Sequence, residues 1–301
     1  MLKKIWIGAI CNRDMELFNQ IIKFTKINYP NRISIVSLLK KDGKFSTKYF
    51  KKKIKKYPIS FLILKLYSEP SNQIIYNAIK TYAPNIPILN SLRSVSICES
   101  RNETFKFIER NCKKLNIPKN FYTIKDAYDA CSQGIPIIVK LDIHNAPHIS
   151  KYDRILGIAK TPKELMNLIN NYAPKKLFFQ EYLGKFDIVY KMYIIDKFTV
   201  NIRSHNRLRE HKLTQLELID IRVPINKLLK RRIKQIGRKL GMVLYGVDYI
   251  ITEDNNAYIV DINDFPSFKN IPEAVSLISD YLYNRLYSLQ LLSKIPIKIK
   301  G

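Results

Sequence analysis

Apolar positions along the chain switch repeatedly between strand and helix spacing. A run from Lys4 to Ile10 is followed by a helix-period pattern from about Met15 to Ile27 and by ISIVSLL at Ile33 to Leu39, which predicts a β-α-β opening. After the basic stretch KKKIKK at Lys51 to Lys56 come SFLILKLY at Ser60 to Tyr67, a helical segment through Ile75 and Ile79, and IPIL before Asn90. Alternation of this kind predicts a small parallel α/β sheet. It contains no GxGxxG loop, so a dinucleotide site is not expected there.

A helix is predicted from Asn102 to Asn116, ended by the Ile117-Pro118 pair, because the residue before proline is pushed out of the α region. A second unit then follows: FYTI, a short helix, the turn SQG, and PIIVK ending on Lys140. Thr161 and Glu164 are spaced as a capping box opening the helix TPKELMNLIN, and LFFQEYL is the next strand. IVYKMYIID and FTVNIRSH alternate and pair across Asp196 and Lys197 as an antiparallel hairpin. The helix from about Asn226 to Leu240 puts Leu229, Ile233, Ile236 and Leu240 on one face, with Gly241 as its stop.

The segment GVDYIITEDNNAYIVDIND carries the most chemistry. Two alternating runs flank Glu253 to Asn256, a turn composition, and that loop sets Thr252 opposite Ala257 and Asp248 opposite Asp261. Two facing carboxylates repel unless a cation lies between them. Asn263 shares the face of Asp261, so Asp248, Asp261 and Asn263 form a set of hard oxygen donors suited to Mg²⁺. A one-residue slip in register would instead turn one aspartate to solvent.

Composition narrows the function. The 301 residues are 46% hydrophobic and 26% charged, the balance of a folded globular chain rather than a disordered one. Lys and Arg number 52 against 25 acids, a formal charge of +27, which calls for a polyanion, an anionic surface or an unusual cell and makes nucleic acid the first candidate. No helix-turn-helix, RNP or zinc-ligand spacing accompanies that charge, so nucleic-acid binding is expected only as an incidental property. No run approaches the roughly 20 apolar residues of a membrane span. MLKKIWIGAICNRD lacks a signal-peptide cleavage site and reads as a first strand, with Arg13, Lys3 and Lys4 either on a solvated terminus, the default, or extending a phosphate-binding surface. Cys11, Cys98, Cys112 and Cys131 form no metal or disulfide spacing, which implies a reduced, cytoplasmic protein, with a monomer as the default.

Five motifs in order, PIIVK, QEYL at Gln180 to Leu183, YKMYIID at Tyr190 to Asp196, GVDYII at Gly246 to Ile251 and VDINDFP at Val260 to Pro266, resemble the ATP-grasp superfamily. Within it they resemble the inositol 1,3,4-trisphosphate 5/6-kinase family, over about Ser91 to Ser279. The resemblance implies an α/β ATP-grasp fold with a parallel pre-ATP-grasp domain at 1–92, a central lobe at 117–183, and a C-terminal lobe built from 93–116 and 184–301. It further implies ATP and two Mg²⁺ ions as cofactors and an inositol polyphosphate as acceptor. Arg101 and Lys140 would reach the ATP phosphates, and Gln180, Glu181 and Leu183 would hold the adenine. Asp248, Asp261 and Asn263 would ligate Mg²⁺. Lys191 and Arg203 would contact the phosphorylated substrate or the transferred phosphoryl group, Lys191 also contacting ATP, and Asn263 and Ser267 would line the acceptor side. The glycine-rich flap common in the superfamily is replaced by LDIHNAPHISKYDR, where His148 or Lys151 stands for the kinase family's lid histidine. His144, His205 and His211 also fall near this region. The competing chemistry is the ATP-grasp carboxylate-amine ligase, against which stand Asp-x-Asn in place of Glu-x-Asn and RSHNRLREHKL in place of an FRSNLHRGG-like segment.

Overall fold

The computed structural model describes residues 4–149, 153–206, 214–216 and 218–292. Strand β1 (Ile5–Cys11), helix α1 (Met15–Asn28), β2 (Ile33–Ser37), α2 (Thr47–Lys56), β3 (Ile59–Lys65), α3 (Asn72–Tyr82) and β4 (Ile88–Leu89) make the first unit. Its sheet runs β2-β1-β3-β4 with every pairing parallel. The lysine run at Lys51 to Lys56 is the end of α2, with Phe50 as its buried anchor.

Two helices, α4 (Leu92–Ile97) and α5 (Arg101–Asn111), lead to the central lobe. Helix α5 ends five residues before the predicted Asn116. Beyond Cys112 the backbone turns so that Leu115 and Ile117 pack into the neighbouring core and the Asn116 carbonyl accepts the Ile259 N–H, contacts a continued helix would not make. The central lobe comprises β5 (Asn120–Phe121), α6 (Ile124–Ser132), β6 (Ile137–Leu141), β7 (Ile155–Ala159), α7 (Pro162–Ile169) and β8 (Leu177–Glu181). Its sheet, β5-β8-β6-β7, is antiparallel and buries Val139, Phe179 and Leu165 under α6 and α7. At the start of α7, Thr161 accepts the Glu164 N–H, but Glu164 returns to the Lys160 N–H rather than to Thr161.

The third sheet uses β9 (Ile188–Ile195), β10 (Phe198–His205), β11 (Ile221–Arg222), β12 (Leu244–Ile251) and β13 (Ala257–Asp264) in the order β11-β10-β9-β12-β13. Its pairings are antiparallel. One face packs on α5 and α8 (Lys227–Leu240) through Met192, Val247, Ile262 and Ile233. Helix α8 ends on Gly241, whose φ of 77° is the left-handed conformation of a helix stop. The other face contributes Ile195, Ile202 and Leu244 to a core shared with β1, α1 and α9 (Ala274–Leu292). The first and third units therefore meet across one continuous apolar core. No helix among the described residues is long and apolar enough to cross a membrane. All four cysteines are free and buried.

Candidate active site

The β12-β13 hairpin opposes Asp248 to Asp261, by a different route from the one its turn predicts. Near the turn Ile251 faces Ala257, so the loop is one residue longer than Glu253 to Asn256, with Thr252 closing it onto the Asn256 carbonyl. A β-bulge at Val260 then takes up the extra residue and restores the Asp248–Asp261 pairing. The bulge also leaves the Val260 carbonyl outside the ladder, where it accepts Lys140 Nζ at 3.3 Å.

On β9, Lys191 is the residue opposite Asp248, and it faces Ile202 on its other side. Directly opposed residues share a face, so Lys191, Asp248 and Asp261 form one row across the sheet. In the next row Tyr193, Gly246 and Asn263 are opposed. A Cβ on Gly246 would meet Pro266 Cγ at 3.3 Å, so its bare backbone lets the post-strand turn fold over the sheet.

Cations from other elements converge on this row. Arg101, the first residue of α5, is fixed by hydrogen bonds from Nη1 to the carbonyls of Leu141 (2.7 Å) and Ile143 (3.1 Å). Its Nε stands 3.5 Å from Asp261 Oδ1. His144 is buried with Nε2 3.2 Å from Asp261 Oδ2. Burial raises the Asp261 carboxyl, but His144, Arg101 and Lys140 outweigh it and hold the group well below the usual carboxylate range. Asp261 Oδ1 is nonetheless buried without a hydrogen-bond donor. No cluster of three His, Cys, Asp or Glu side chains fit to hold a metal occurs among the described residues. Two carboxylates with an amide are a different donor set, and the orphaned Oδ1 beside Asp248 and Asn263 fits a hard divalent cation.

Lys140 is buried between the two sheets and donates to Gln180 Oε1 at 2.9 Å. Burial lowers its pKa to about 8; Asp261 and Asp248 oppose that fall, and Arg101 adds to it. Gln180 in turn donates to Asn120 Oδ1, and Asn120 to Glu109. Both ends of the Gln180 amide are thus engaged and its side chain is buried, with Oε1 holding Lys140. Glu181 accepts the Lys119 N–H, tying the end of β8 to the strand beside it, and Leu183 follows, half-buried.

Two further expectations shift. Arg203 lies opposite Tyr190, on the α8 face of the sheet, with Lys191 on the other face, so the two do not act on one phosphoryl group. The one-residue offset between Lys191 and Arg203 in register makes that separation unavoidable. In the loop after β6, His144 rather than His148 reaches the carboxylate; His148 is exposed, at a φ of 61°. Lys151 and His211 lie outside the described residues. The loop is held down by Arg154, which donates to the carbonyls of His144, Ala146 and Ile149, and by Ser68 of the first unit.

Lys65 was not recognisable as a site residue, whereas Arg13 was an alternative candidate for the phosphate-binding surface. Arg13 is buried and donates to the carbonyls of Asp264 and Phe265, so it is no solvated terminus. Lys65, fully buried, donates to Phe265 and Pro266 and lies 3.2 Å from Asp14. Together they clamp the turn that follows the carboxylate strand. The one sequence signal was a lysine inside the apolar run SFLILKLY. Ser267, the next residue of that turn, lines a cavity of about 420 Å³ with Asp14, Glu16, Gln20 and Lys269.

Residues 203–284 match the family model for the inositol 1,3,4-trisphosphate 5/6-kinase ATP-grasp domain. Among solved structures, a Chryseobacterium gregarium RiPP-associated ATP-grasp ligase, in complex with ADP and a leader and core peptide, superposes with a TM-score of 0.65 at 12% identity, covering 94% of this chain and 97% of that one. The chain has an ATP-grasp fold. D-alanine–D-alanine ligase from Bacillus anthracis, complexed with ATP, aligns at a TM-score of 0.63 and 16% identity over 96% of this chain and 98% of its own. The macrocyclase MdnC of Microcystis aeruginosa, bound with precursor peptide MdnA, aligns at 0.64 and 13% over 94% and 99%. A search of curated protein sequences gives no significant match. The ATP-grasp frame accounts for the two facing antiparallel sheets with Lys140 between them. The family match covers the carboxylate hairpin but stops short of Arg101, Lys140 and Lys191.

Proposed function

We propose that this ATP-grasp chain is an ATP- and Mg²⁺-dependent kinase that transfers the γ-phosphoryl group of ATP to an inositol polyphosphate. The observation that carries the reading is the row Lys191, Asp248, Asp261 with Asn263 beside it, faced by Arg101, His144 and Lys140. Phosphoryl transfer asks for positioning and for cations that meet spread negative charge, and needs no protein nucleophile. Arg101, Lys140 and Lys191 hold the ATP phosphates, and the backbone from Glu181 to Leu183 receives the adenine. Asp248, Asp261 and Asn263 would hold Mg²⁺, which supplies neutralising charge at the phosphate oxygens.

In the transfer the acceptor hydroxyl oxygen forms a new bond to the γ-phosphorus. The bond from that phosphorus to the ADP oxygen breaks, and the hydroxyl proton is released. The orientation of Arg101 by two backbone carbonyls and of Lys140 by Gln180 keeps these cations in place without reorganisation. The net charge of +27 favours capture of small polyanions. The match of 203–284 to the kinase family model supports the acceptor class.

A second reading has a specific observation in its favour. The cavity beside Ser267 is lined by Asp14 and Glu16, carboxylates that suit an amine-bearing acceptor, and similar solved structures are ligases. In that chemistry a carboxylate takes the γ-phosphoryl group and an amine displaces phosphate. The deciding assay offers purified protein, ATP and Mg²⁺ a panel of inositol phosphates from tris- to hexakisphosphate, and in parallel amino acids and other carboxylate-amine pairs. ADP formation that depends on an inositol phosphate supports the kinase; ADP formation that depends only on a carboxylate with an amine overturns it.

A further inference from the structure

A second cavity, of about 500 Å³, lies on the α8 face of the five-stranded sheet, behind the carboxylate row. Among the described residues its charged lining is Arg203 of β10 and Arg232 of α8. Among the described residues neither guanidinium has a carboxylate partner, and Arg232 Nε is buried with no acceptor. Arg203 is exposed and Arg232 half-buried, so the cavity carries two like charges that an anion would join. The rest of the lining divides into amides and apolar surface. Asn116, Asn255 and Asn256 stand at one end; Val223, Leu229 and Ile251 form the walls. Tyr190 and Tyr249 stack at 5.2 Å with an interplanar angle of 17°, and Tyr249 Oη is spent on Asn201, so the pair presents a flat, rigid surface.

We propose that this cavity binds a small organic oxyanion, a phosphate ester or a carboxylate on a flat apolar body, at a site separate from the ATP cleft. Paired guanidiniums match the planar fork of either oxyanion, and the tyrosine wall and aliphatic side chains take the body. The volume is that of an ordinary small-molecule site. Lys191 and Asp248 are the immediate chain neighbours of Tyr190 and Tyr249, so one strand layer separates this site from the carboxylate row.

Isothermal titration with phenyl phosphate, benzoate and inorganic phosphate tests the site. One saturable site for phenyl phosphate or benzoate is expected, with inorganic phosphate binding more weakly because it lacks the apolar body. The tighter of the two aromatic probes identifies the oxyanion. Arg203→Met and Arg232→Met each weaken the binding about tenfold or more, whereas Lys140→Met, in the ATP cleft, leaves it in place. Thermal unfolding of each variant checks its fold. Should a methionine variant unfold, Arg203→Lys and Arg232→Lys keep the charge but lose the fork, and a several-fold weakening is expected. The proposal is overturned if neither aromatic probe saturates below about 10 mM, or if Lys140→Met removes the binding and the arginine variants do not.

Discussion

Asp261 holds the candidate site together at the scale of single residues. Its carboxylate receives Arg101 and His144 from two other elements while one oxygen stays without a donor. Asp261→Asn keeps the shape, removes the charge, and leaves Arg101 without its anion and His144 without its carboxylate neighbour. Turnover is expected to fall by orders of magnitude, while stability drops by only about 1–3 kcal/mol, measured by steady-state kinetics and denaturant unfolding of the same preparation. A folded variant with wild-type turnover would remove the hairpin from the mechanism. Because its pKa is held below the ordinary carboxylate value, the stabilisation from Asp261 is present at neutral pH and is lost on acidification. Lys140 titrates in the opposite direction. With a pKa lowered to about 8 it is charged at neutral pH and sheds its proton in mildly alkaline solution. The ATP association constant should therefore bend downward above about pH 8, and Lys140→Arg, which stays charged, should flatten the bend. A profile that bends equally in both proteins would show that Lys140 is not the group responsible. Neither residue's partners were visible in the sequence, because Val260, Gln180 and His144 approach through folding across the lobes.

At the scale of elements, periodicity located most strands and helices, and it placed Asp248 against Asp261. It missed the bulge at Val260, since a longer turn and a compensating extra residue cancel in the pairing arithmetic. It also overran α5, whose last turn gives way to packing of Leu115 and Ile117; the grouping of Arg203 with Lys191 came instead from the family resemblance, which does not fix the face a residue takes. Strand β7 escaped notice behind the polar loop before it. Helix α8 shows how packing overrides propensity. Gly237 sits in its interior, where alanine ordinarily stabilises a helix by about 0.5–1 kcal/mol. A Cβ there would fall 2.5 Å from Tyr245 Cε1 and 2.7 Å from its Oη, and that ring is buried on β12. Gly237→Ala should therefore destabilise the protein by about 1–3 kcal/mol, seen as a lowered urea midpoint with an unchanged slope; a raised midpoint would mean that α8 does not pack on β12 as described.

Across the whole molecule, the first unit does more than precede the ATP-grasp lobes. Asn90 makes three hydrogen bonds onto Val243 and Leu244, at the start of β12. Arg13 and Lys65 hold the turn at 264–266, and α1 and α9 share one core. The open end of the carboxylate hairpin, where β12 begins and β13 ends, is thereby held on both strands by the first unit, which none of the motifs, being confined to single strands, could reveal. The excess of positive charge also divides by location. Arg101, Lys140 and Lys191 meet at the carboxylate row, Arg203 and Arg232 line the cavity behind it, and the lysines of α2 lie on an outer helix. The function proposed for the whole chain is transfer of a phosphoryl group to an inositol polyphosphate. The most direct test follows the label from ATP carrying a radioactive γ-phosphoryl group, with Mg²⁺ and an inositol phosphate, in the absence of any amine. Label is expected in a more highly phosphorylated inositol with none released as inorganic phosphate; label found solely as inorganic phosphate, and solely when a carboxylate and an amine are supplied together, would contradict the proposal.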